Sequence, residues 1–210
     1  MTGIFIVFDG PPGSGKGTMI KKAFEYIFDK SKKFDNILVT DEPTEGPYGK
    51  KVRALLKSQK SSEDLKDEIF QAFWDDRKWH IEEIIQPALD KGFVVICDRY
   101  KYSSIAYQSA QGTDFEKVFE AHKNFLTPDL ALILDVDSEQ GYERTQKDSA
   151  EKRVESDKFR EVEFVSKVRE NFLKQKTLLP QENIAVINAN LALDEVFAQI
   201  KEELDKILLR

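Results

Sequence analysis

Five short apolar segments, each followed by a longer stretch with Lys and Glu at helical spacing, constrain the fold more than any other feature of this sequence. The segments are Ile4 to Phe8, Ile37 to Thr40, Phe93 to Cys97, Leu130 to Val136 and Ile184 to Ile187. Nearly every residue within them is apolar, which is typical of strands that are buried on both faces of a parallel sheet.

The stretches between these segments predict helices. The clearest are Thr18 to Asp29, Glu63 to Leu89, Glu161 to Leu179 and Asp194 to Leu209. Strands that alternate with helices indicate an α/β fold with a five-stranded parallel sheet flanked by helices. No repeat or linker interrupts this pattern, so we expect residues 1–210 to form a single domain. Ligands of such folds bind beyond the carboxyl ends of the strands.

A glycine-rich segment directly follows the first predicted strand and runs into the first predicted helix. It consists of Gly10, Pro11, Pro12, Gly13, Ser14, Gly15, Lys16, Gly17 and Thr18. Glycines let successive backbone N–H groups point at one anion, and the helix N-terminus adds partial positive charge. Lys16 can reach the β and γ phosphates of ATP, and the Thr18 hydroxyl can serve Mg²⁺ directly or through water. The segment therefore predicts a P-loop.

The order of residues in this loop indicates which class of P-loop protein the chain resembles. Gly17 occupies the position directly after Lys16, where the general pattern has Ser or Thr. The spelling resembles the loop of adenylate kinases and favours a small-molecule kinase. The base-reading motif Asn-Lys-x-Asp of GTPases is absent from the sequence, which argues against a GTPase switch.

Two predicted strands end in an acid, namely Asp98 and Asp135. Either carboxylate could lie near Mg²⁺, and either could instead cap the helix that follows. Arg99, next to Asp98, could clamp two phosphate oxygens with its planar guanidinium. An Asp-Arg pair by itself is also common as an ordinary surface ion pair.

A highly charged segment, KDSAEKRVESDKFR, runs from about residue 147 to 160 between two predicted helices. Its composition alone favours a solvated connection between helices, and the alternative is a lid that closes over phosphates.

Composition limits the partners and the compartment. The net charge of −6 argues against a nucleic-acid binder, which usually carries a basic excess. No apolar stretch approaches the roughly 20 residues of a membrane span, so we expect no membrane partner. Cys97 is the single cysteine and cannot form an internal disulfide, which fits a reducing, cytoplasmic location. The segment Met1 to Gly10 reads as a first strand rather than a signal peptide.

Further motifs follow the P-loop in a fixed order. They are Glu42-Pro43, Gly46-Pro47-Tyr48-Gly49, Arg53, Phe73-Trp74-Asp75-Asp76-Arg77, Asp98-Arg99-Tyr100, Ser103-Ser104, Ala106-Tyr107-Gln108 and Pro128-Asp129-Leu130. In this order and spacing, the motifs resemble those of the thymidylate kinases, a branch of the nucleoside monophosphate kinases. The resemblance extends over almost the whole chain.

The resemblance implies transfer of the γ-phosphoryl group of ATP to a nucleoside monophosphate, with dTMP the best single candidate. It implies that Phe73 stacks on the thymine ring and that Arg77 hydrogen-bonds the base. From the residues alone, packing of Phe73 in the core beside Phe70 is the simpler interpretation. Arg53 and Arg99 would bind the acceptor phosphate.

The same resemblance supplies the remaining assignments. Tyr107 and Gln108 would line the pocket for base and sugar. Other acceptor-side candidates are Asp9, Glu42, Pro43 and Ser103. Lys16, Arg99, Asp98, Arg153 and Lys158 are the catalytic candidates. Thr18 and Asp98 are the candidates for Mg²⁺, with Asp9 also near the ion. The family also implies a homodimer, and it implies that the segment from about residue 147 to 160 is a lid whose basic residues stabilise the transferred phosphoryl group.

Two departures from the family pattern concern the acceptor. The family usually has an acid where this chain has Pro12, and Arg where it has Asp41. The sequence therefore leaves other activities open. These are a monophosphate kinase of other base specificity, a deoxynucleoside kinase that acts on thymidine, and an ATP-driven switch without an acceptor.

Overall fold

A parallel sheet forms the centre of the fold. The computed structural model describes residues 3–30, 36–58, 65–148 and 162–208. Within these ranges, five strands are hydrogen-bonded in the order β2-β3-β1-β4-β5. The strands are β1 Ile4–Asp9, β2 Ile37–Asp41, β3 Val94–Asp98, β4 Leu130–Asp135 and β5 Ile184–Asn188. The predicted α/β class and five-stranded parallel sheet are confirmed.

Helices connect the strands. They are α1 Lys16–Lys30, α2 Pro47–Leu56, α3 Lys66–His80, α4 Gln86–Asp90, α5 Lys101–Ala110, α6 Phe115–His122, α7 Ser138–Asp148, α8 Val162–Leu178 and α9 Leu193–Leu208. None of the helices in the described ranges is long and apolar enough to cross a membrane.

The predicted helix from Glu63 to Leu89 is helical throughout its described part, but it is not α-helical along its whole length. The structure divides its described part into α3, a π-helical turn at Ile81–Ile85, and α4. Pro87 gives the physical reason, since it has no N–H to donate and its ring would clash with a carbonyl of the preceding turn. The π-helical turn widens the helix directly before this proline, with the Gln86 N–H bonded to the Ile81 carbonyl.

Two apolar layers cover the sheet. On one face, Ile6 and Phe8 of β1 pack in a cluster with Met19 of α1 and Ile200 of α9. On the other face, β1 packs in a second cluster with residues from α5 and α8. The side chains of β1 from Phe5 to Phe8 are all at most 1% exposed. This double burial explains why β1 is continuously apolar, and it leaves only the strand ends free for polar chemistry.

A buried ion pair fastens the start of α5. Lys101 is fully buried, and its Nζ lies 2.7 Å from Oε1 of Glu182, which precedes β5. The Tyr102 hydroxyl donates to the other carboxylate oxygen at 2.5 Å. Lys101 also donates to the carbonyls of Lys123 and Phe125 at 3.2 and 3.3 Å. These bonds connect α5, whose first residues follow Arg99, to two other parts of the chain.

We expect Lys101→Met to lower the free energy of unfolding by about 3 kcal/mol, because it leaves the Glu182 carboxylate buried without its cation. Urea denaturation followed by circular dichroism measures this change. Lys117→Met is the matched control, since Lys117 pairs with Asp67 on an exposed surface, where ion pairs contribute little. Equal stability of both variants would contradict this account of the ion pair.

Candidate active site

Aspartates end four neighbouring strands at the carboxyl edge of the sheet. In spatial order, they are Asp41 of β2, Asp98 of β3, Asp9 of β1 and Asp135 of β4. Carboxylates at this edge can hold cations or accept from backbone N–H groups, and their partners decide which. The four aspartates have different partners and therefore different roles.

The loop after β1 has the geometry predicted for a P-loop. Gly13 has a φ of +72°, and a Cβ there would collide with the backbone of Gly141 on α7, so only glycine fits. Nζ of Lys16 lies inside the loop, where it donates to the carbonyls of Gly10 and Pro11 at 2.9 and 3.2 Å. The ammonium therefore lies at the centre of a ring of backbone groups.

Helix α7 supports this loop from one side. Nη1 of Arg144 donates to the carbonyl of Ala189 at 3.0 Å and to that of Gly13 at 3.4 Å. A Cβ on Gly141 would come within 2.7 Å of the Pro12 carbonyl. The contact between α7 and the P-loop thus requires glycine on both sides.

Asp9 connects the P-loop to the segment that carries Arg99. Its Oδ1 accepts from the Gly10 N–H at 3.0 Å and from the Ser103 hydroxyl at 2.6 Å. Its Oδ2 accepts from the N–H groups of Tyr100 and Ser103 at 3.1 and 2.9 Å. Asp9 therefore caps the N-terminus of α5 from a neighbouring strand. Burial raises the pKa of this carboxyl, while the Ser103 hydrogen bond and the charges of Lys16 and Arg99 oppose the rise.

Asp98 and Asp135 differ in their availability to a cation. The carboxylate of Asp135 is held by Arg169 through two bonds, at 2.5 and 3.0 Å. This pairing removes Asp135 as a candidate for Mg²⁺. Oδ1 of Asp98 is buried and has no hydrogen-bond partner within the ranges that the structure describes. A carboxylate oxygen without a protein partner at this edge fits a bound cation or its water.

Arg99 adopts an unusual backbone conformation, with a φ of +68°. Its N–H donates to the Phe8 carbonyl at 2.9 Å, which fastens the turn to β1. Its guanidinium lies over the Tyr107 ring and donates to the Tyr107 hydroxyl at 3.2 Å. A non-glycine residue in this left-handed region of backbone conformation is uncommon, and such residues cluster at functional sites.

A cavity of about 360 Å³ opens beside the P-loop. Its walls come from Pro12, Glu42, Pro43, Arg53, Leu56, Lys57, Phe73, Arg77, Arg99, Ser103, Ser104, Tyr107, Gln108 and Gln111. Every predicted acceptor-side residue except Asp9 is among them. Asp9 lies behind the wall, where its carboxylate oxygens are bonded to backbone and hydroxyl groups.

Four wall residues were not predicted as site residues, namely Leu56, Lys57, Ser104 and Gln111. Lys57 lies one helical turn after Arg53, and Gln111 lies one turn after Tyr107. Helical spacing from a predicted site residue is thus the signal that could have identified both. Ser104 lies in the Ser103-Ser104 motif, in which only Ser103 was predicted to line the site.

The cavity wall includes an aromatic face and a buried amide. Phe73 is half-buried and lines the cavity, so it is not confined to the core. Gln108 is 4% exposed, and in the described part of the chain neither its Oε1 nor its Nε2 has a hydrogen-bond partner. A buried amide without protein partners is costly unless a ligand satisfies it. The wall is therefore suited to a flat polar ligand such as a nucleobase.

Arg53 is oriented by backbone carbonyls at another part of the wall. Its Nη2 donates to the Pro43 carbonyl at 2.6 Å, and its Nη1 donates to the Thr44 carbonyl. The same guanidinium lies 2.8 Å from a carboxylate oxygen of Glu45 and 4.0 Å from one of Asp41. These exposed acids offset part of the charge that Arg53 presents to the cavity.

The predicted lid segment, from about residue 147 to 160, lies almost wholly outside the described residues. Arg153 and Lys158 fall in that part, and the positions of their side chains remain predictions. Thr18 and Gly17 lie on the first turn of α1, where both are exposed.

Comparison with known proteins gives a consistent result. Residues 8–200 match the thymidylate kinase family. The thymidylate kinase of Desulfotalea psychrophila is 35% identical over 98% of this chain and 96% of its own. A probable thymidylate kinase of Pyrococcus horikoshii is 36% identical over 95% of each chain. The thymidylate kinase of Lactobacillus acidophilus is 35% identical over 99% of this chain and 96% of its own.

We expect Gln108→Leu to keep or raise the thermal stability of the ligand-free protein, because it removes a buried amide that has no protein partner. The matched control is Gln175→Leu on α8. Gln175 is also buried and its Oε1 also lacks a partner among the described residues, but its Nε2 donates to the carbonyls of Tyr102 and Asn171, both at 3.1 Å. This control should lose about 1 kcal/mol or more. An equal loss in both variants would show that Gln108 has a structural partner.

Proposed function

The chain belongs to the thymidylate kinase family, and we propose that it transfers the γ-phosphoryl group of ATP to the 5′-phosphate of dTMP, giving ADP and dTDP. The observation that carries this assignment is the shared wall between the P-loop and the cavity. Pro12 of the loop lines the cavity, and Asp9 bonds the loop to the turn of Arg99. Donor and acceptor phosphates can therefore meet in one place.

On the donor side, the N–H groups of the P-loop and the Lys16 ammonium would hold the β and γ phosphates of ATP. The carbonyls that now accept from Lys16 are uncharged, so a phosphate oxygen would be a stronger partner for the ammonium. The loop residues from Gly10 to Thr18 would surround the phosphates as predicted. Transfer needs no covalent intermediate with the protein, because positioning and charge stabilisation supply the catalysis.

On the acceptor side, Phe73 would stack on the base, while Arg77 and Gln108 would meet its polar edge. The side chain of Gln108 carries an NH₂ donor group beside a carbonyl acceptor. This pair matches the adjacent carbonyl and N–H of thymine. Arg53 and Arg99 would hold the acceptor phosphate in line with the donor. Tyr107, which carries the Arg99 guanidinium over its ring, would position that arginine.

Mg²⁺ would be held by Asp98 and Thr18, directly or through water, since Asp98 is a strand-end acid with an oxygen that lacks a partner in the described ranges. When bound, the ion would neutralise phosphate charge. Arg153 and Lys158 are proposed to add positive charge around the transferred group.

We further propose that residues 1–210 act as one domain, that the protein is cytoplasmic and forms a homodimer, and that it does not bind nucleic acid. The family supports the first three proposals. The net charge of −6 supports the fourth.

A panel of acceptors tests the proposed reaction. ADP release is coupled to a spectrophotometric readout with Mg·ATP and dTMP, dUMP, dCMP, UMP, CMP, AMP, GMP or thymidine. We expect dTMP to give a kcat/KM about tenfold or more above the others. Preference for another monophosphate would keep the mechanism and overturn the substrate. Preference for thymidine would indicate a deoxynucleoside kinase, and turnover indifferent to every acceptor would indicate an ATP-driven switch.

We expect Lys16→Met to lower kcat by a factor on the order of 10² or more, because the γ-phosphate loses its charged partner. Lys22→Met on the same helix is the matched control, since Lys22 pairs with Asp194 on the surface. Circular dichroism checks that both variants are folded. Normal turnover of the Lys16 variant would contradict the P-loop assignment.

A further inference from the structure

Arg77 lies in a network that fixes its guanidinium from three sides. It is 1% exposed. Nη2 lies 2.5 Å from Oε2 of Glu42 and 3.0 Å from the Ser104 hydroxyl, and Nη1 lies 2.8 Å from Nδ1 of His122. The faces of the guanidinium lie near the rings of Tyr100 and Phe125, at 5.3 and 5.6 Å. The orientation of Arg77 is therefore set by its neighbours, not by a free rotamer choice.

The guanidinium of Arg77 contains only donors. Its Nε is buried and has no hydrogen-bond partner among the described residues. A donor-only group at the cavity wall favours a base that presents a carbonyl oxygen. It disfavours a base that presents an amino group at the same place, because two donors would then face each other.

The bond from Arg77 fixes the protonation of His122. Because Arg77 must donate, Nδ1 of His122 must accept, so the ring is neutral with its proton on Nε2. His122 is fully buried, and burial lowers its pKa well below the usual value, with further lowering by the charges of Arg77 and Lys101. A protonated ring would place a second donor against Arg77.

His122 acts from behind the wall and not on it. It ends α6, and its ring packs against Phe70 at 5.6 Å and Phe125 at 5.7 Å. The residues that form the described cavity wall do not include His122. Among the described hydrogen bonds of His122, the one with Arg77 is the one that reaches a wall residue.

We propose that His122 is a positioning residue for acceptor selection. As a neutral acceptor, it holds Arg77 so that the nucleotide base must present a carbonyl group and not an amino group. This inference rests on the proposed function, since it assigns the origin of base choice at the same site. The alternative is that His122 only fills space between Phe70 and Phe125.

His122→Phe and His122→Asn separate these roles. Phenylalanine keeps an aromatic ring between Phe70 and Phe125 but removes the acceptor, whereas the asparagine oxygen can accept near the position of Nδ1. The measured quantity is the ratio of kcat/KM for dTMP to that for dCMP. These nucleotides differ at the C4 carbonyl or amino group, at N3 and in the 5-methyl group, and the comparison is the change of this ratio between variants. We expect the phenylalanine variant to lower this ratio about tenfold, mainly through KM for dTMP. The asparagine variant should stay within about threefold of the natural protein.

Gln175→Leu is the control for general loosening, because Gln175 is buried in α8 and its described bonds do not include Arg77. This variant should leave the ratio unchanged even where its thermal stability falls. An unchanged ratio in His122→Phe would overturn the proposal, as would an equal fall in His122→Asn or in the control. His122→Leu serves as a second acceptor-free variant should His122→Phe not fold.

Failure of this inference is distinguishable from failure of the proposed function. If the natural protein prefers another carbonyl-bearing acceptor, such as dUMP, the substrate assignment fails. The same variants then test His122 on the ratio of that acceptor to dCMP. If the natural protein prefers an amino-bearing base, both the substrate assignment and the inference are overturned.

Discussion

The buried carboxylate of Asp9 is the interaction on which the site depends. Four hydrogen bonds converge on it, one from the P-loop and three from the segment that follows Arg99. Without these bonds, the P-loop after β1 and the Arg99 turn after β3 would be joined only through the sheet and the bond from the Arg99 N–H to the Phe8 carbonyl. The hydrogen bonds between the strands fix the positions of the strands, but they do not fix the direction in which each loop leaves its strand. Asp9 sets that relation, and the 0% exposure of its side chain keeps competing water away.

The aspartates at the carboxyl edge of the sheet differ in their partners. Asp135 is paired with Arg169, Asp9 accepts from backbone and hydroxyl donors, and Asp98 keeps one oxygen without a described partner. Asp41 faces Arg53 across 4.0 Å. Identical residue types at identical strand ends thus acquire a cation-pairing role, a structural role and a role suited to a metal ion. The difference lies in which donors the following loops bring to each carboxylate.

Sequence reasoning could predict what depends on local pattern. The continuous apolar character of β1 and the glycines before Lys16 each require one backbone form, so strand and P-loop followed directly. The role of Asp9 could not be predicted in this way, because its partners at Tyr100 and Ser103 are about ninety residues away in the chain. Pairing of Asp135 with Arg169 and of Arg77 with His122 also depends on packing of distant helices. Pro87 was visible in the sequence, but the helical spacing on both sides of it gave no sign of the π-helical turn that precedes it.

Asp9→Asn tests the central claim most directly. The asparagine amide keeps one acceptor oxygen, but its NH₂ group faces N–H groups that donate to Asp9 in the natural protein. The P-loop and the Arg99 turn should therefore shift relative to each other. The measurement is kcat with Mg·ATP and dTMP, together with calorimetric binding of each nucleotide alone. We predict a fall in kcat on the order of 10²-fold, since misplacement by about 1 Å is sufficient for such a loss. Each nucleotide alone should bind within about threefold of its normal affinity. An unchanged kcat would contradict the account. A variant that no longer binds ATP but still binds dTMP would also contradict it.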